Sequence, residues 1–388
     1  MSWRDICPMD EKVKFIAFVK GGTQPFSSIC KRLGISRKTG YKWLERYENE
    51  GPKGLYDHKR SRLTQSKETS TKQVETILKA KNKFKDWGPK KLKIWLEREH
   101  ENEHWPATST IGDILKKHGL VEPRAKRKRV VPYTQPFLAC TKPNDVWSAD
   151  FKGQFKTNDR KYCYPFTVTD NYSRFIIKCD GYLSPSLANV QRSMIEAFKE
   201  YGLPKAIRTD NGTPFASSNV GGLSRLSIWW IKLNIYPERI DLGCPEQNGR
   251  HERMHRTLKK ATALPAKNEL ASQNKSFAEF IKEFNYVRPH EALLNKTPFE
   301  IYESSSRAYP LKLEEVVYPD RKIVRKVRSN GQIKINGGYV FISELLYGEP
   351  VAMEQIEDGY WDLQFGNLGL GIIDEHRCKL IKYDKFYD

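Results

Sequence analysis

A chain of 388 residues is long enough for several domains, and its 67 Lys and Arg against 47 Asp and Glu leave a formal charge of +20. A basic surplus of that size points to a polyanionic partner, for which nucleic acid is the usual candidate, rather than to a surface kept basic only for solubility. No apolar run of about 18 residues occurs, no basic amphipathic helix is evident, and Met1-Ser2-Trp3-Arg4-Asp5 lacks an apolar signal core, which speaks against a membrane partner. The cysteines at Cys7, Cys30, Cys140, Cys163, Cys179, Cys244 and Cys378 form no C-x-x-C pair, a pattern of reduced cytosolic thiols rather than of a disulfide framework.

Residues 1–60 read as short helices. Asp10 to Val19 carries Val13, Ile16 and Ala17, and Ser27 to Leu33 follows. After the turn Gly34-Ile35 comes Ser36 to Tyr47, with Ser36 as N-cap and Tyr41, Leu44 and Tyr47 at a helical interval. Helix, Gly-containing turn, helix is the helix-turn-helix pattern, and the second helix opens with Arg37, Lys38 and Thr39, followed by Lys42, where a recognition helix meets bases and phosphates. Residues 61–123 repeat the layout: a helix from Thr71 to Phe84, a second after Gly88-Pro89 with the basic start at Lys90, and a third capped near Thr108. His100 and His104 in H-E-N-E-H have no third ligand nearby and read as an exposed helix end. The linker 124–144 opens with Arg124, Lys126, Arg127, Lys128 and Arg129, a self-repelling run suited to lying along phosphates.

From 145 to 305 strands and helices alternate. Strands are expected at Val146 to Phe155, Tyr162 to Thr169, Arg174 to Lys178 and Lys205 to Thr209. Helices are expected at Ser186 to Tyr201, near Leu226 to Lys232 and from Gly249 onward, which makes an α/β layer on a mixed sheet. In 318–388 short β-rich runs separated by Asn-Gly, Gly-Gly and Asp-Gly predict a small barrel.

Two carboxylates stand out. Asp150 lies inside the first strand between apolar neighbours, where a lone charge is costly, and Asp210 sits just past a strand, at the carboxyl end where open sheets place their sites. Holding two Mg²⁺ ions would require a third acid, since hard cations want oxygen ligands. Asp170, by contrast, begins a turn and reads as structural.

The order D-F-K-G, T-D-N-G, P-E-Q-N-G-R-H-E-R, then Asn285-Tyr286-Val287-Arg288-Pro289-His290-Glu291-Ala292-Leu293 and Thr297-Pro298, resembles insertion-sequence transposases with a retroviral-integrase-type catalytic core. The resemblance spans nearly the whole chain and is strongest from Trp147 to Pro298. It implies a multidomain chain: N-terminal all-α helix-turn-helix units, a central α/β ribonuclease-H-like core with a mixed sheet, and the small C-terminal β-barrel. It also implies two divalent metals used for strand cleavage and strand transfer, with Mg²⁺ replaceable by Mn²⁺. Double-stranded DNA, as element ends and target, would be the partner, and the active form would be at least a dimer on that DNA. A cytoplasmic, nucleoid-associated location is the matching expectation.

For the third acid, Glu246 stands 35 residues after Asp210 and Glu252 stands 41 after it, counting neither end. The family's acid follows a Gln/Asn-Gly step and opens a helix, as Glu252 does after Asn248-Gly249. On that helix Glu252, His255, Arg256 and Lys259 share one face, while Met254, Leu258 and Ala261 share the other. The catalytic and metal-holding set is therefore Asp150, Asp210 and Glu252. Arg256 and Lys259 join the expected DNA contacts. Arg174, Arg288 and His290 are open between surface packing and contact with phosphate or substrate ends, and Arg288 and His290 are carried with the DNA-binding set. A DNA-binding regulator without chemistry, or a nuclease that only hydrolyses, are the rival readings.

Overall fold

The computed structural model describes residues 8–57, 69–121, 137–217, 219–241, 243–383 and 386. The chain divides into two compact units, Met1–Thr69 and Ser70–Asp388. The run Arg124, Lys126, Arg127, Lys128 and Arg129 lies outside the described residues.

The first unit holds α1 (Pro8–Gly21), α2 (Phe26–Arg32) and α3 (Arg37–Glu50), closed by a 3₁₀ turn at Gly51–Leu55. Ser36 caps α3, its Oγ accepting from the Thr39 N–H at 3.1 Å. Phe15, Ile16, Ile29, Cys30, Trp43 and Leu55 form the core. Tyr41 departs from the expected apolar stripe: it is exposed and stacks on Phe26 at 4.3 Å. The inward face is instead Gly40, Trp43, Leu44 and Tyr47, and Gly40, having no side chain, leaves no hydrophobic signal in the sequence.

The second unit begins with α4 (Thr71–Lys83), α5 (Pro89–Glu99) and α6 (Thr108–Lys117) around Ile77, Leu92, Leu96, Trp105, Ile111 and Leu115. Thr108 is not the cap of α6. Ala107 occupies that position and makes no side-chain cap bond. Val287 packs into this same cluster, and Trp87 Nε1 donates to Glu283 at 3.1 Å, so these helices are seated on the α/β layer that follows.

That layer runs β1 (Val146–Phe151), β2 (Phe155–Lys156), β3 (Tyr162–Asp170), β4 (Ile176–Tyr182), α7 (Leu187–Tyr201), β5 (Ala206–Thr209), α8 (Arg225–Lys232), β6 (Tyr236–Arg239), α9 (Gly249–Thr262) and α10 (Leu270–Lys282). The sheet order is β2-β3-β1-β5-β6, with β4 also paired to β3. β1 is antiparallel to β3 and parallel to β5, which makes the sheet mixed. The single strand expected from Val146 to Phe155 is split at Gly153, whose φ of 82° ends the extended run. β6 has no counterpart among the sequence expectations. It carries Pro237, and among the described residues it sits at the sheet edge, paired only with β5, where a missing N–H is tolerated.

The C-terminal segment holds β7 (Ile323–Lys326), β8 (Gln332–Ile335), β9 (Gly338–Phe341), β10 (Pro350–Glu357), β11 (Tyr360–Phe365), β12 (Leu368–Asp374) and β13 (Lys379–Ile381). The expected barrel is not closed. Five strands form an open sheet in the order β13-β12-β11-β10-β7, and β8 pairs only with β9 among the described residues. The hairpin buries Ile333, Ile335 and Val340 in one core with Val351, Leu363 and Phe365, and its strands lie next to the two edge strands, β8 by β7 and β9 by β13, without pairing to them among the described residues. α8 belongs to both cores: Leu226, Trp229 and Trp230 face the mixed sheet, while Ile228 and Ile231 face the C-terminal strands.

Candidate active site

The parallel pairing of β1 and β5 determines where the two aspartates lie. Ser148 is in register with Arg208, so two residues further along lie Asp150 and Asp210, on neighbouring parallel strands at their carboxyl ends. Asp210 follows the end of β5 and accepts the Gly212 N–H at 3.0 Å. Glu252 lies in the first turn of α9. Asp150 and Glu252 line one cleft together with Lys152, His255, Arg256 and Lys259. The helix face expected from the sequence is therefore the face turned to Asp150, with Met254 and Leu258 buried and Ala261 exposed.

Burial pushes the Asp150 carboxyl up to about 7, and the charges of Asp210 and Glu252 add to the rise against the Phe151 N–H and Lys152. Glu246 sits in the 3₁₀ turn Pro245–Asn248, exposed, where Cys244 hydrogen-bonds to it.

A polar network behind the acids has no signature in the sequence. Thr167 Oγ1 lies 2.8 Å from His251 Nε2 and 2.6 Å from His255 Nε2, and Thr169 Oγ1 lies 2.7 Å from His251 Nδ1. Thr167 also donates to the Asp150 carbonyl at 3.2 Å. The Ser148 hydroxyl donates to Asn248 Oδ1 at 3.0 Å and accepts from Asn171 Nδ2 at 2.9 Å, tying the start of α9 to β1 two residues before Asp150. Burial holds both imidazoles far below their ordinary range, so they are neutral. Asp150, His251 and His255 are grouped closely enough for a metal. Both ring nitrogens of His251 are already engaged with threonines, however, which leaves His255 Nδ1, 3.8 Å from Asp150 Oδ2, as the free donor. Oxygen ligands therefore dominate the site. His251 at i and His255 at i+4 is a visible spacing, but its threonine partners are on β3.

The expected DNA contacts are scattered. Arg37, Lys38 and Lys42 are exposed on the first turns of α3, while Thr39 is half-buried beside Ser36. Lys90 is paired with Glu291 at 2.8 Å. Arg256 and Lys259 share the acid cleft. Arg288 is 8% exposed and His290 half-buried, both away from that cleft.

Comparison with known proteins gives a consistent picture. Integrase core domain families match residues 140–245 and 233–298, a helix-turn-helix domain family matches 11–62, and a homeodomain-like domain family matches 39–115. The chain is 32% identical over 179 residues to the uncharacterized 39.2 kDa protein of insertion element IS476 of Xanthomonas euvesicatoria, covering 44% of this chain and 48% of that protein. It is 28% identical over 223 residues to the uncharacterized 31.7 kDa protein of insertion element IS407 of Burkholderia multivorans, covering 55% of this chain and 74% of that one. The match thus spans about half the length of the first relative. Among solved structures, the magnesium-bound HTLV-2 integrase catalytic core in its trimeric form aligns at 16% identity with a TM-score of 0.34, over 42% of this chain and 100% of that one. The simian T-cell lymphotropic virus intasome aligns at 17% identity with a TM-score of 0.37, over 76% and 97%.

Proposed function

We propose that this chain, which matches integrase core and helix-turn-helix families and resembles proteins of insertion elements, binds the ends of a mobile DNA element and catalyses metal-dependent strand cleavage and strand transfer. The observation that carries this reading is the register of β1 and β5, which sets Asp150 beside Asp210, with Glu252 close enough for its charge to raise Asp150.

The donor set fits divalent cations. Three carboxylates are hard oxygen ligands, and their mutual repulsion, felt at Asp150, is what Mg²⁺ or Mn²⁺ would relieve. When bound, two such ions would activate the attacking oxygen and stabilise the leaving oxygen of an in-line displacement. The chain's own residues do the rest. Asp150, Asp210 and Glu252 would hold the ions. Arg256 and Lys259 would draw a phosphodiester into the cleft beside Glu252. The pair of histidines on Thr167 fixes the rotation of α9 and with it the aim of Glu252. Arg37, Lys38, Thr39 and Lys42, at the start of α3, would meet the element end. Among the described residues no helix is long and apolar enough to cross a membrane.

Cleavage of an end duplex in Mg²⁺ tests the assignment. Asp150→Asn, Asp210→Asn and Glu252→Gln should each lower the rate by about 10²–10³-fold or more, the scale of lost transition-state charge stabilisation, while duplex affinity holds. Glu246→Gln should stay within a few-fold of wild type. A dead Glu246→Gln beside an active Glu252→Gln would overturn the third acid.

A further inference from the structure

α9 has a second polar flank. Opposite the face that carries Glu252, Arg250 and Arg253 line a separate cavity of about 140 Å³, closed by Lys91 from α5, Arg174 from the turn after β3, and Arg288 and His290. The sole carboxylate among the described lining residues is Asp170. It is committed to accepting from the Asn144 N–H at 2.8 Å, the Ser173 N–H at 2.7 Å and the Ser173 hydroxyl at 2.6 Å.

The cations crowd one another. The guanidinium groups of Arg174 and Arg250 both donate to the Asn171 carbonyl. Arg174 reaches it from a left-handed backbone, φ 66°, which a residue with a Cβ adopts at some cost. Burial lowers Lys91 to about 8, helped by the charge of Arg288, and lowers Arg174 to about 10, helped by Arg250. The nearest acid to Arg288 is Glu283 at 3.7 Å, and Glu283 is shared with Trp87. His290 is pushed down to about 3 by burial, Lys91 and Arg288, and its Nε2 has no hydrogen-bond partner. Half-buried like charges of this kind are costly unless an anion joins them.

We infer that this cavity is an oxyanion site that takes one backbone phosphate of a DNA strand passing along the outer flank of α9. The inference rests on the DNA-binding reading above and adds to it a second anchoring point on the far side of the helix that bears Glu252. A helix is about 10–12 Å across, so the held phosphate and the acid cleft would lie only a few nucleotides apart on a strand. Lys91 also brings α5 into the site, so a phosphate bound there would bridge the α4–α6 helices and the catalytic layer.

The test uses the full-length chain and its Arg250→Gln/Arg253→Gln variant, with Arg250→Lys/Arg253→Lys as the charge-preserving control. Melting is followed against inorganic phosphate at constant ionic strength, and affinity for an end duplex is followed against salt. Wild type and the Lys control should show a saturable rise in Tm with phosphate that the Gln variant lacks. The Gln variant should also bind the duplex about tenfold more weakly, with a salt slope shallower by about 1. Loss of the phosphate response with duplex affinity and slope unchanged would make this a site for a free oxyanion and overturn the DNA assignment. No saturable response in wild type and no change in slope would make the cluster structural and overturn the site altogether. Mg²⁺-dependent cleavage by the variant at the wild-type rate would then leave the transposase reading standing.

Discussion

Asp150 is asked to be both half-buried and charged, and its carboxyl answers by holding its proton to about pH 7. An unfolded Asp releases its proton near 3.9. The folded value is the higher one, so the contribution to stability is fully present below about pH 4 and is lost as pH rises toward 7. In EDTA, Asp150→Asn should therefore melt close to wild type at pH 4 but higher at pH 8. The gain should be on the order of 2 kcal/mol, since the side chain is still 23% exposed. Mg²⁺ at pH 8 should close or reverse that gap, and Mg²⁺ affinity should rise with pH through 7. A wild-type chain that is the more stable of the two at pH 8 in EDTA would contradict this account. Asp150 and Asp210 were legible in the sequence because a charge in an apolar strand and an Asp-Asn-Gly after a strand are local signals. The hydrogen bonds that orient His251 and His255 were not, because their partners Thr167 and Thr169 lie on a distant strand and look like ordinary strand residues.

Helices and strands with local markers were equally readable: Ser36 caps α3, Pro89 starts α5, and Gly202 ends α7. The misses share a cause, which is that the deciding contact is tertiary. β6 is a four-residue run with a proline, held as a strand only by β5. The C-terminal β-rich runs read in the sequence coincide with β7 to β11 while β12 and β13 had no counterpart, and whether the strands close into a barrel depends on where the β8–β9 hairpin packs, which no local pattern encodes. Gly40 shows the same dependence on packing at an interface between helices. A Cβ there would stand 2.8 Å from Cys30 Sγ and 3.0 Å from the rings of Phe15 and Phe26. Gly40→Leu should force α3 away from α1 and α2, destabilising the first unit by about 1–3 kcal/mol. The duplex affinity proposed to depend on Arg37 and Lys38 should weaken with it, while the transition of the unit Ser70–Asp388 stays in place. Calorimetry resolves the two. Equal shifts in both transitions would mean that the units do not unfold separately.

Across the whole molecule, charge governs association. A chain at +20 repels its own copies, and screening reaches only about 8 Å at physiological salt. Part of this charge is already neutralised internally: Lys90 by Glu291, Arg98 by Glu300 and Lys232 by Glu349. Cations still exposed include Arg37, Lys38 and Lys42 on α3 and Arg256 and Lys259 in the acid cleft, where phosphates would discharge them. On the proposed reading, joining two element ends to one target would need two sets of Asp150, Asp210 and Glu252. The protein should therefore be monomeric or weakly associated alone and should form a stable complex of two or more copies only with end duplex. Raising salt should weaken that complex by stripping the DNA, and in the absence of DNA it should not dissociate any preformed oligomer. Mass photometry with and without duplex, at low and high salt, reads both. A chain that stays one copy per duplex while still joining two ends in a coupled reaction would show that one set of acids serves both, and the charge argument for assembly would fail with it.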